Sequence, residues 1–194
     1  MLLYGIIIAI YVLISFIANG VCAFVLGYDL VNAVYWMIVT ITALFGIDVV
    51  VVLGLHIFPK KIFYNPESKI YQTKPWQTNL FLKLGIRSWK ERVPELGVLG
   101  GFKKDKVYSF ETDYLERFLY ENCYGEAEHV VSGLASFLVL LYVPNIYLWT
   151  IAVPFAIGNL MLNFMSAMIQ RYLRPKLMAL YRRQKRKNAG EKAA

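Results

Sequence analysis

The chain divides into long apolar runs separated by polar, basic stretches. The apolar runs are Leu2–Leu26, Val31–Phe58, His129–Val143 and Tyr147–Gln170, and none of them contains lysine or arginine. A helix needs roughly 20 apolar residues to cross the core of a bilayer, so the first, second and fourth runs are long enough, whereas the third is short. The pattern predicts an all-α, polytopic membrane protein with four transmembrane helices.

The distribution of charge predicts how these helices are oriented. All 21 Lys and Arg residues lie in 59–128 and 170–194. Basic segments stay on the cytoplasmic side of a membrane, so both regions and both termini are expected to be cytoplasmic. The expected organisation is helices 1 and 2 in 1–58, a cytoplasmic interfacial helical segment in 59–128, helices 3 and 4 in 129–170, and a basic tail in 171–194. The expected location is the cell membrane, as a multi-pass protein.

The composition supports this class and narrows the partners. With 58% hydrophobic residues, the chain lies outside the range of soluble globular domains. The net charge of +8 comes mostly from the tail, which suits binding to anionic lipid headgroups. Nucleic-acid binding is the weaker alternative, because no recognition module accompanies the charge. The end of the tail, after Arg183, is expected to be disordered, and Cys22 and Cys123 are not expected to pair.

The central segment mixes aromatic residues with lysines, as expected of a chain that lies on a membrane face. Two parts of it have a helical pattern, namely Gln77–Trp89, which is interrupted by Gly85, and Phe110–Tyr124. Ser109 is placed to cap the second helix. The apolar face of that helix is expected to comprise Phe110, Tyr114, Leu115, Phe118 and Leu119. A turn between the two helices is indicated by Gly97, Gly100 and Gly101.

Candidate catalytic residues lie just before the third apolar run. Glu126 and His129 are three residues apart and share a face if this region is helical. Histidine can take and return a proton near neutral pH, and a carboxylate one turn away can orient it, with Glu121 as a second candidate carboxylate. A solvated pair is the alternative. A metal site is disfavoured because a di-iron bundle needs two Glu-x-x-His motifs and further glutamates, and the chain has one such motif.

Cations near the same boundary could hold the phosphates of a substrate. Arg87 and Lys90 flank Trp89, and Arg171 and Arg174 follow the fourth apolar run. Contact with lipid headgroups is the alternative for the first group. For the second group, the attraction of arginines to the C-terminal end of a helix dipole is the alternative.

Polar residues within the apolar runs are further candidates. Asp48 is costly to place in lipid, by about 2.5–3.5 kcal/mol, and is either functional or protonated and hydrogen-bonded to a neighbouring helix. His56 lies about two turns beyond it, and the sequence leaves the function of both residues open. Asn159 and Asn163 share one side of the fourth helix, where hydrogen bonding between helices is the ordinary explanation.

Three separated motifs occur along the chain in a fixed order. They are Ile86-Arg-Ser-Trp89-Lys90-x-x-Val-Pro94, then Glu121-x-Cys123-x-Gly-Glu126-x-x-His129, then Gln170-Arg171-Tyr172-x-Arg174-Pro175-x-Leu177 with Asn163 seven residues before it. In order and spacing these motifs resemble the glycosyl-4,4'-diaponeurosporenoate acyltransferases, over roughly residues 57–180. The chain departs from that family's pattern at Tyr124 and Val130, beside the candidate base.

The resemblance implies a function. Members of this family are described as attaching a fatty acyl chain to a sugar hydroxyl of a glycosylated carotenoid acid. By resemblance, the three motifs surround the active site, and Asn163 joins the substrate-binding candidates, which are Arg87, Trp89, Lys90, Arg171 and Arg174. The departures at Tyr124 and Val130 imply that the acceptor could differ.

The combined expectation is a membrane acyltransferase. His129 would deprotonate a hydroxyl or amine of a lipid-linked acceptor, including a glycosylated one, at the cytoplasmic face, and Glu126 would orient the imidazole. The co-substrate would be acyl-CoA or another acyl donor, with no cofactor bound. The alternatives are a membrane methyltransferase and a non-catalytic partner of a lipid-synthesis complex.

Overall fold

The computed structural model describes residues 2–93, 102 and 106–193, and every regular element in those residues is helical. In chain order the helices are α1 (Leu2–Leu26), α2 (Leu30–His56), α3 (Lys60–Phe63), α4 (Pro75–Lys83), α5 (Ile86–Trp89), α6 (Thr112–Ala135), α7 (Asn145–Tyr147) and α8 (Val153–Ala193). Shorter elements are a 3₁₀ turn at Lys90–Arg92, a 3₁₀ helix at Ser136–Leu141 and a π-helical turn at Leu148–Ala152. The all-α prediction is confirmed for this part of the chain.

The chain packs as two compact units. The first comprises Met1–Gly54 and Val130–Phe164, and the second comprises Leu55–His129 and Met165–Ala194. The residues predicted to form a turn between the interfacial helices lie outside the described residues, as does the last residue of the first motif; they are Gly97, Gly100, Gly101 and Pro94.

In the first unit, polar side chains are buried and large apolar side chains are exposed, as expected of a protein embedded in lipid. Its polar residues Asn19 and Thr40 are buried. Large apolar side chains of α1 and α2 are instead exposed, among them Phe24, Val31 and Phe45. Water would penalise such a surface, whereas hydrocarbon would not. The first unit is therefore suited to the interior of a bilayer.

Three helical stretches within the described residues are long and apolar enough to cross a membrane, namely Ile8–Leu26, Leu30–His56 and Asn145–Gly190. The predicted transmembrane helix at His129–Val143 is not among them, so the prediction of four such helices is not supported. The physical reason is that α6 begins at Thr112 and carries charged residues through its N-terminal half. The apolar run that follows is too short to form a full span by itself.

Side-chain hydrogen bonds join the elements of the first unit. Asn19 of α1 donates to the carbonyl of Thr150 in the π-helical turn at 3.1 Å. Asn159 of α8 donates to a carboxylate oxygen of Asp48 on α2 at 3.4 Å. Asp48 is therefore hydrogen-bonded to a neighbouring helix. This contact agrees with the structural interpretation of Asp48, in which hydrogen bonding between helices explains a polar residue in an apolar run.

In the second unit, the helices of the interfacial segment follow the predicted pattern closely. Gly85 has a φ of 69°, in the left-handed region that glycine adopts without strain, and it separates α4 from α5. The break inside the predicted helix Gln77–Trp89 is thus confirmed. The apolar face of α6 is also confirmed for Leu115, Phe118 and Leu119, which are buried.

The start of α6 differs from the prediction. Phe110 precedes the helix and is exposed, so it does not belong to the apolar face. The hydroxyl of Ser109 accepts a hydrogen bond from the N–H of Glu111 at 3.1 Å, one residue before the helix begins. Ser109 therefore stabilises the approach to α6 and is not its cap.

The last helix is longer than the sequence indicates. α8 continues past Gln170 and through Pro175 to Ala193, so the expectation of disorder after Arg183 is wrong. Lysine, arginine, glutamine and alanine have high helix propensity, which favours the continuation. Asn188 also donates to the hydroxyl of Thr112 on α6 at 2.9 Å and so attaches the end of α8 to the rest of the second unit.

Candidate active site

Two polar stripes on neighbouring helices form the centre of the second unit. α6 carries Asn122 and Glu126 four residues apart, and α8 carries Gln170 and Arg174 at the same spacing. Residues at this spacing lie on one face of a helix. All four side chains are buried, and Asn122 Nδ2 donates to Gln170 Oε1 at 2.6 Å. The matched spacing lets each residue of one stripe meet a residue of the other.

Arg174 uses its whole guanidinium group within this centre. Its Nε donates to Asn122 Oδ1 at 2.8 Å, and its Nη1 donates to the carbonyl of Tyr71 at 2.7 Å. Its Nη2 lies 3.4 Å from the carbonyl of Asn122 and 2.5 Å from Oε2 of Glu126. The residue is 2% exposed. A charge is tolerated at such depth only when it is paired and hydrogen-bonded, and these contacts meet both conditions.

Glu126 lies between two arginines. Arg171 Nη2 contacts its Oε1, and Arg174 contacts its Oε2 as an ion pair without hydrogen-bond alignment. One carboxylate and two guanidinium groups together carry a formal charge of +1. Since Arg174 is enclosed and the Arg171 side chain is 22% exposed, the excess positive charge is accessible at Arg171. An anionic substrate group would be attracted to that edge of the centre.

The same arginines hold the loop between α3 and α4. Arg171 Nη2 donates to the carbonyl of Ile70 at 2.7 Å, and the hydroxyl of Thr73 donates to the carbonyl of Arg171 at 2.7 Å. The Arg174 guanidinium lies 5.3 Å from the ring centroid of Tyr71, in a cation–π contact. The loop and α8 therefore fix each other's positions.

The structure places the predicted base, His129, three residues beyond Glu126 on α6, so the helix brings the two residues to one face. His129 is partly buried and is the last residue of its segment of the second unit. Both carboxylate oxygens of Glu126 contact arginines, so this residue anchors Arg171 and Arg174. The orienting effect of Glu126 on the imidazole stays a prediction.

Glu121, the second predicted carboxylate, lies on another face of α6. It lies five positions before Glu126, which turns the two side chains about 140° apart around the helix. Its Oε1 lies 2.6 Å from Nζ of Lys60 on α3. The structure therefore pairs Glu121 with a cation that the sequence did not single out.

A second basic group surrounds Tyr172. Arg87 Nε donates to the Tyr172 hydroxyl at 3.4 Å, and Lys176 Nζ lies 5.4 Å from the centroid of its ring. The positive charge of Lys90 also acts on that hydroxyl. The structure thus brings two of the predicted binding residues, Arg87 and Lys90, to a shared partner and adds Lys176 to them.

Trp89 stands beside this group and is held by packing. Its indole N–H donates to the carbonyl of Leu84 at 3.0 Å. Its ring packs against a cluster of buried side chains formed by Phe81, Ile86, Met168 and Tyr172. This packing holds Trp89, between Arg87 and Lys90 in the sequence, against α8.

Asn163, the remaining predicted binding residue, belongs to the first unit. Its Nδ2 donates to the carbonyl of Asn159 one turn earlier in α8, at 3.1 Å. A Cβ added at Gly133 would lie 3.3 Å from the Cβ of Asn163, so the glycine permits a close approach of α6 and α8. The hydrogen bond to Asn159 and the close approach at Gly133 are features of helix packing.

Two ionisable groups near the arginines are held in their neutral forms. Burial raises the pKa of the Cys123 thiol to about 12, and burial also raises the pKa of the Tyr71 hydroxyl to about 12. A thiol with such a pKa is a poor nucleophile at neutral pH. Both cysteines are free thiols in the structure. Within the part of the chain that the structure describes, no group of three or more His, Cys, Asp or Glu residues comes together to hold a metal.

Sequence reasoning missed several residues of this centre. Asn122 and Gln170 each stand four residues before a charged residue that was singled out, Glu126 or Arg174. That repeated spacing is the signal that could have identified them. Thr73 gives no comparable signal, because its partner lies 98 residues away in the sequence.

The fold and the site define an α-helical membrane protein whose second unit contains a buried polar centre with excess positive charge. The family model for glycosyl-4,4'-diaponeurosporenoate acyltransferase matches residues 67–183, more than half of the chain. The protein therefore belongs to that family, as its three motifs indicate. The match includes both polar stripes and the basic group around Tyr172. No curated protein and no solved structure gives a match.

Proposed function

We propose that this protein is an integral membrane acyltransferase that moves a fatty acyl group onto a hydroxyl or amine of a lipid-linked acceptor, including a glycosylated one. The observation that carries the proposal is the family match over residues 67–183. Those residues include the Glu126–Arg171–Arg174 centre, and the family is named for acyl transfer. The apolar first unit supports a substrate that resides in the membrane.

In this proposal His129 is the general base. It takes the proton from the acceptor O–H or N–H while the acceptor oxygen or nitrogen bonds to the acyl carbonyl carbon. The bond from that carbon to the donor's leaving group then breaks, and the leaving group takes up a proton. A positioned base of this kind contributes about 10²–10⁴-fold to the rate. Glu126 and Glu121 are the candidate carboxylates, with Glu126 on the helix face of His129.

The proposed donor is acyl-CoA or another acyl donor, used as a co-substrate. The accessible charge of Arg171 and the basic group of Arg87 and Lys90 support binding of its phosphates. Arg174 belongs to the proposed set by its motif, but its donors are used within the centre, which supports a structural role. Trp89, whose ring packs against Tyr172, and Asn163, by the resemblance of its motif, complete the proposed set of binding residues.

The proposed location is the cell membrane, with the chemistry at its cytoplasmic face. The exposed cations of the basic group and of the end of α8 support contact with anionic lipid there.

The test is a transfer assay on purified protein in lipid nanodiscs, with radiolabelled acyl-CoA and a glycolipid acceptor. We expect His129→Ala to lower turnover by about 10²–10⁴-fold while the thermal unfolding midpoint stays unchanged. Lys83→Ala, which removes an exposed cation on α4, is the matched control and should keep full turnover. Unchanged turnover in His129→Ala would remove this residue from the mechanism.

A non-catalytic partner in a lipid-synthesis complex is the second candidate. It is favoured by the buried network of Asn122, Glu126 and Arg174, whose polar groups are used in contacts within the protein. In that case the wild-type protein would be inactive with every donor, and the His129→Ala variant would still assemble with its partners. A methyltransferase would instead be stabilised against heat by a methyl donor and not by acyl-CoA.

A further inference from the structure

Tyr172 of α8 holds two cations from different elements beside one aromatic ring. The residue is 6% exposed, and its ring packs in a buried cluster with Phe81 and Ile86. Its hydroxyl accepts a hydrogen bond from Nε of Arg87 at 3.4 Å, and Nζ of Lys176 lies 5.4 Å from its ring centroid. All of these residues belong to the second unit. Because packing fixes the ring, the ring determines where both cations lie.

The hydrogen bond to Tyr172 uses only part of the Arg87 guanidinium group. A guanidinium group has no acceptor, so Nε–H of Arg87 is the donor and the tyrosine oxygen is the acceptor. Arg87 is exposed, and its Nη1 and Nη2 form no hydrogen bond or ion pair with the residues that the structure describes. A guanidinium group with two such nitrogens can make two parallel hydrogen bonds to a phosphate. Tyr172 therefore orients Arg87 and leaves these donors available.

The uncompensated charge of the basic group belongs to Arg87 and Lys176. Nζ of Lys90 lies 2.9 Å from Oε1 of Glu91, so a carboxylate offsets the charge of this lysine. Neither Arg87 nor Lys176 forms an ion pair with a carboxylate in the part of the chain that the structure describes. Two positive charges thus remain beside Tyr172. A phosphomonoester carries about 1.5–2 negative charges at pH 7 and matches them better than a singly charged phosphodiester does.

We propose that Arg87, oriented by Tyr172, and Lys176 together bind a phosphomonoester group. The proposal rests on the proposed acyl transfer for the role of the ligand as acyl donor, in which case the group is one such as the ribose phosphate of acyl-CoA. The head group of a lipid is the other source of the same chemistry. Arg87 and Lys176 are binding residues, and Tyr172 is a positioning residue because it acts through Arg87.

Binding can be tested without turnover, by titrating the protein in phosphatidylcholine nanodiscs with CoA and with dephospho-CoA, which lacks only the ribose phosphate. We expect CoA to bind about 10- to 100-fold more tightly, the range of one hydrogen bond to a charged group. Arg87→Gln and Lys176→Gln should each remove most of this preference. Lys185→Gln is the matched control, because Lys185 is an exposed lysine of α8 that lies 5.6 Å from the ring centroid of Tyr181. Equal losses in Lys176→Gln and Lys185→Gln would overturn the proposal.

A second arm distinguishes a lipid head group from a soluble donor. Native mass spectrometry of the protein in detergent measures how much phosphatidic acid, a phosphomonoester, and phosphatidylglycerol, a phosphodiester, it retains. Selective retention of phosphatidic acid that Lys176→Gln abolishes, without a preference for CoA, would confirm the phosphomonoester site and assign it to a lipid. No preference for the phosphomonoester in either arm would overturn the proposal. Neither arm measures acyl transfer, so these results are separable from failure of the proposed function.

The positioning role of Tyr172 has its own test. Tyr172→Phe keeps the ring and removes the acceptor of the Arg87 Nε–H. It should lower the preference for the phosphomonoester by about 3- to 10-fold, with the affinity for dephospho-CoA and the thermal unfolding midpoint unchanged. In an Arg87→Lys background, which keeps the charge but has no Nε–H, the same substitution should have little further effect. An equal effect in both backgrounds would show that Tyr172 does not act through Arg87.

Discussion

The hydroxyl of Thr73 donates a hydrogen bond to the backbone carbonyl of Arg171 at 2.7 Å. This carbonyl is available because Pro175, four residues later in α8, has no N–H to donate to it. A proline that would weaken an isolated helix thus provides the point at which the loop between α3 and α4 is attached. Because Arg171 also contacts Glu126, this attachment fixes the position of the partly exposed arginine of the buried polar centre.

Replacing the loop hydroxyl should destabilise the protein. Thr73→Val keeps the shape of the side chain but leaves the Arg171 carbonyl without its donor, at a cost of about 1–3 kcal/mol. Thermal or denaturant unfolding in detergent measures the change. The same substitution made in a Pro175→Ala background should cost much less, because the backbone N–H of the introduced alanine can then donate to this carbonyl. Equal costs in the two backgrounds would show that the proline does not create the requirement for Thr73.

The buried arginine should contribute far more to stability than an exposed one. Arg174→Met keeps the length of the stem and removes every donor, and we expect it to lower the free energy of unfolding by about 3–5 kcal/mol. Arg182→Met is the matched control on the same helix. Arg182 is paired with Glu67 at 3.7 Å, with side chains 59% and 64% exposed, so its loss should cost less than about 1 kcal/mol. Similar losses in both variants would mean that the centre around Arg174 is not the structural anchor described above.

Much of the fold could be predicted because it depends on local chemistry. Gly85 separates α4 from α5 because glycine adopts the left-handed backbone conformation without any distant partner. The apolar face of α6 follows from the spacing of its apolar residues along the helix. The long first and second apolar runs are likewise readable from composition alone. The third run is predicted to form a separate helix, whereas it continues a charged helix that starts at Thr112, and the change from polar to apolar residues hides that continuity.

The partners within the centre could not be predicted in the same way. Residue types indicated that Glu126, Arg171 and Arg174 carry chemistry, but not that both arginines would contact the one carboxylate. The contact between Tyr124 and His56 joins residues 68 apart in the sequence, and no local pattern specifies it. Long-range side-chain pairing depends on how the helices pack, which a single sequence does not reveal.

Alkaline pH should unfold the protein earlier than it unfolds a variant without the buried thiol. The folded pKa of Cys123, about 12, lies above its ordinary value of 9.0. Above pH 9 the unfolded chain therefore loses this proton while the folded protein retains it, which favours unfolding. The stabilisation is complete below pH 9 and is lost between pH 9 and 12, with a slope of about 1.4 kcal/mol per pH unit.

Cys123→Ser isolates this contribution, because the serine hydroxyl does not titrate in the range. The measurement is the unfolding midpoint in detergent at pH 8 and at pH 10 for both proteins. Wild type should lose more stability than the variant over that interval. Tyr71, whose pKa is also raised to about 12 by burial, contributes equally to both proteins and begins to act only above pH 10. Parallel losses in the two proteins would show that the thiol titrates normally.

The short apolar segment after His129 determines the topology. Its 3₁₀ helix, Ser136–Leu141, rises about 2.0 Å per residue against about 1.5 Å in an α-helix, which lengthens a run that would otherwise fall well short of the bilayer core. Val139 and Val143 are buried in the core of the first unit, and Ser136 donates to the carbonyl of Ala156 at 3.1 Å. This packing favours a segment that enters the membrane together with α1, α2 and α8. We therefore predict that it forms a fourth crossing.

Four crossings place both termini on one side of the membrane, whereas three place them on opposite sides. Reporter tags fused to each end, with protease added outside intact cells, distinguish the two arrangements. Protection of both tags in intact cells, and cleavage of both after lysis, is the expected result, since the basic regions on either side of the segment favour the cytoplasm. Cleavage of one tag alone in intact cells would mean that the segment does not cross.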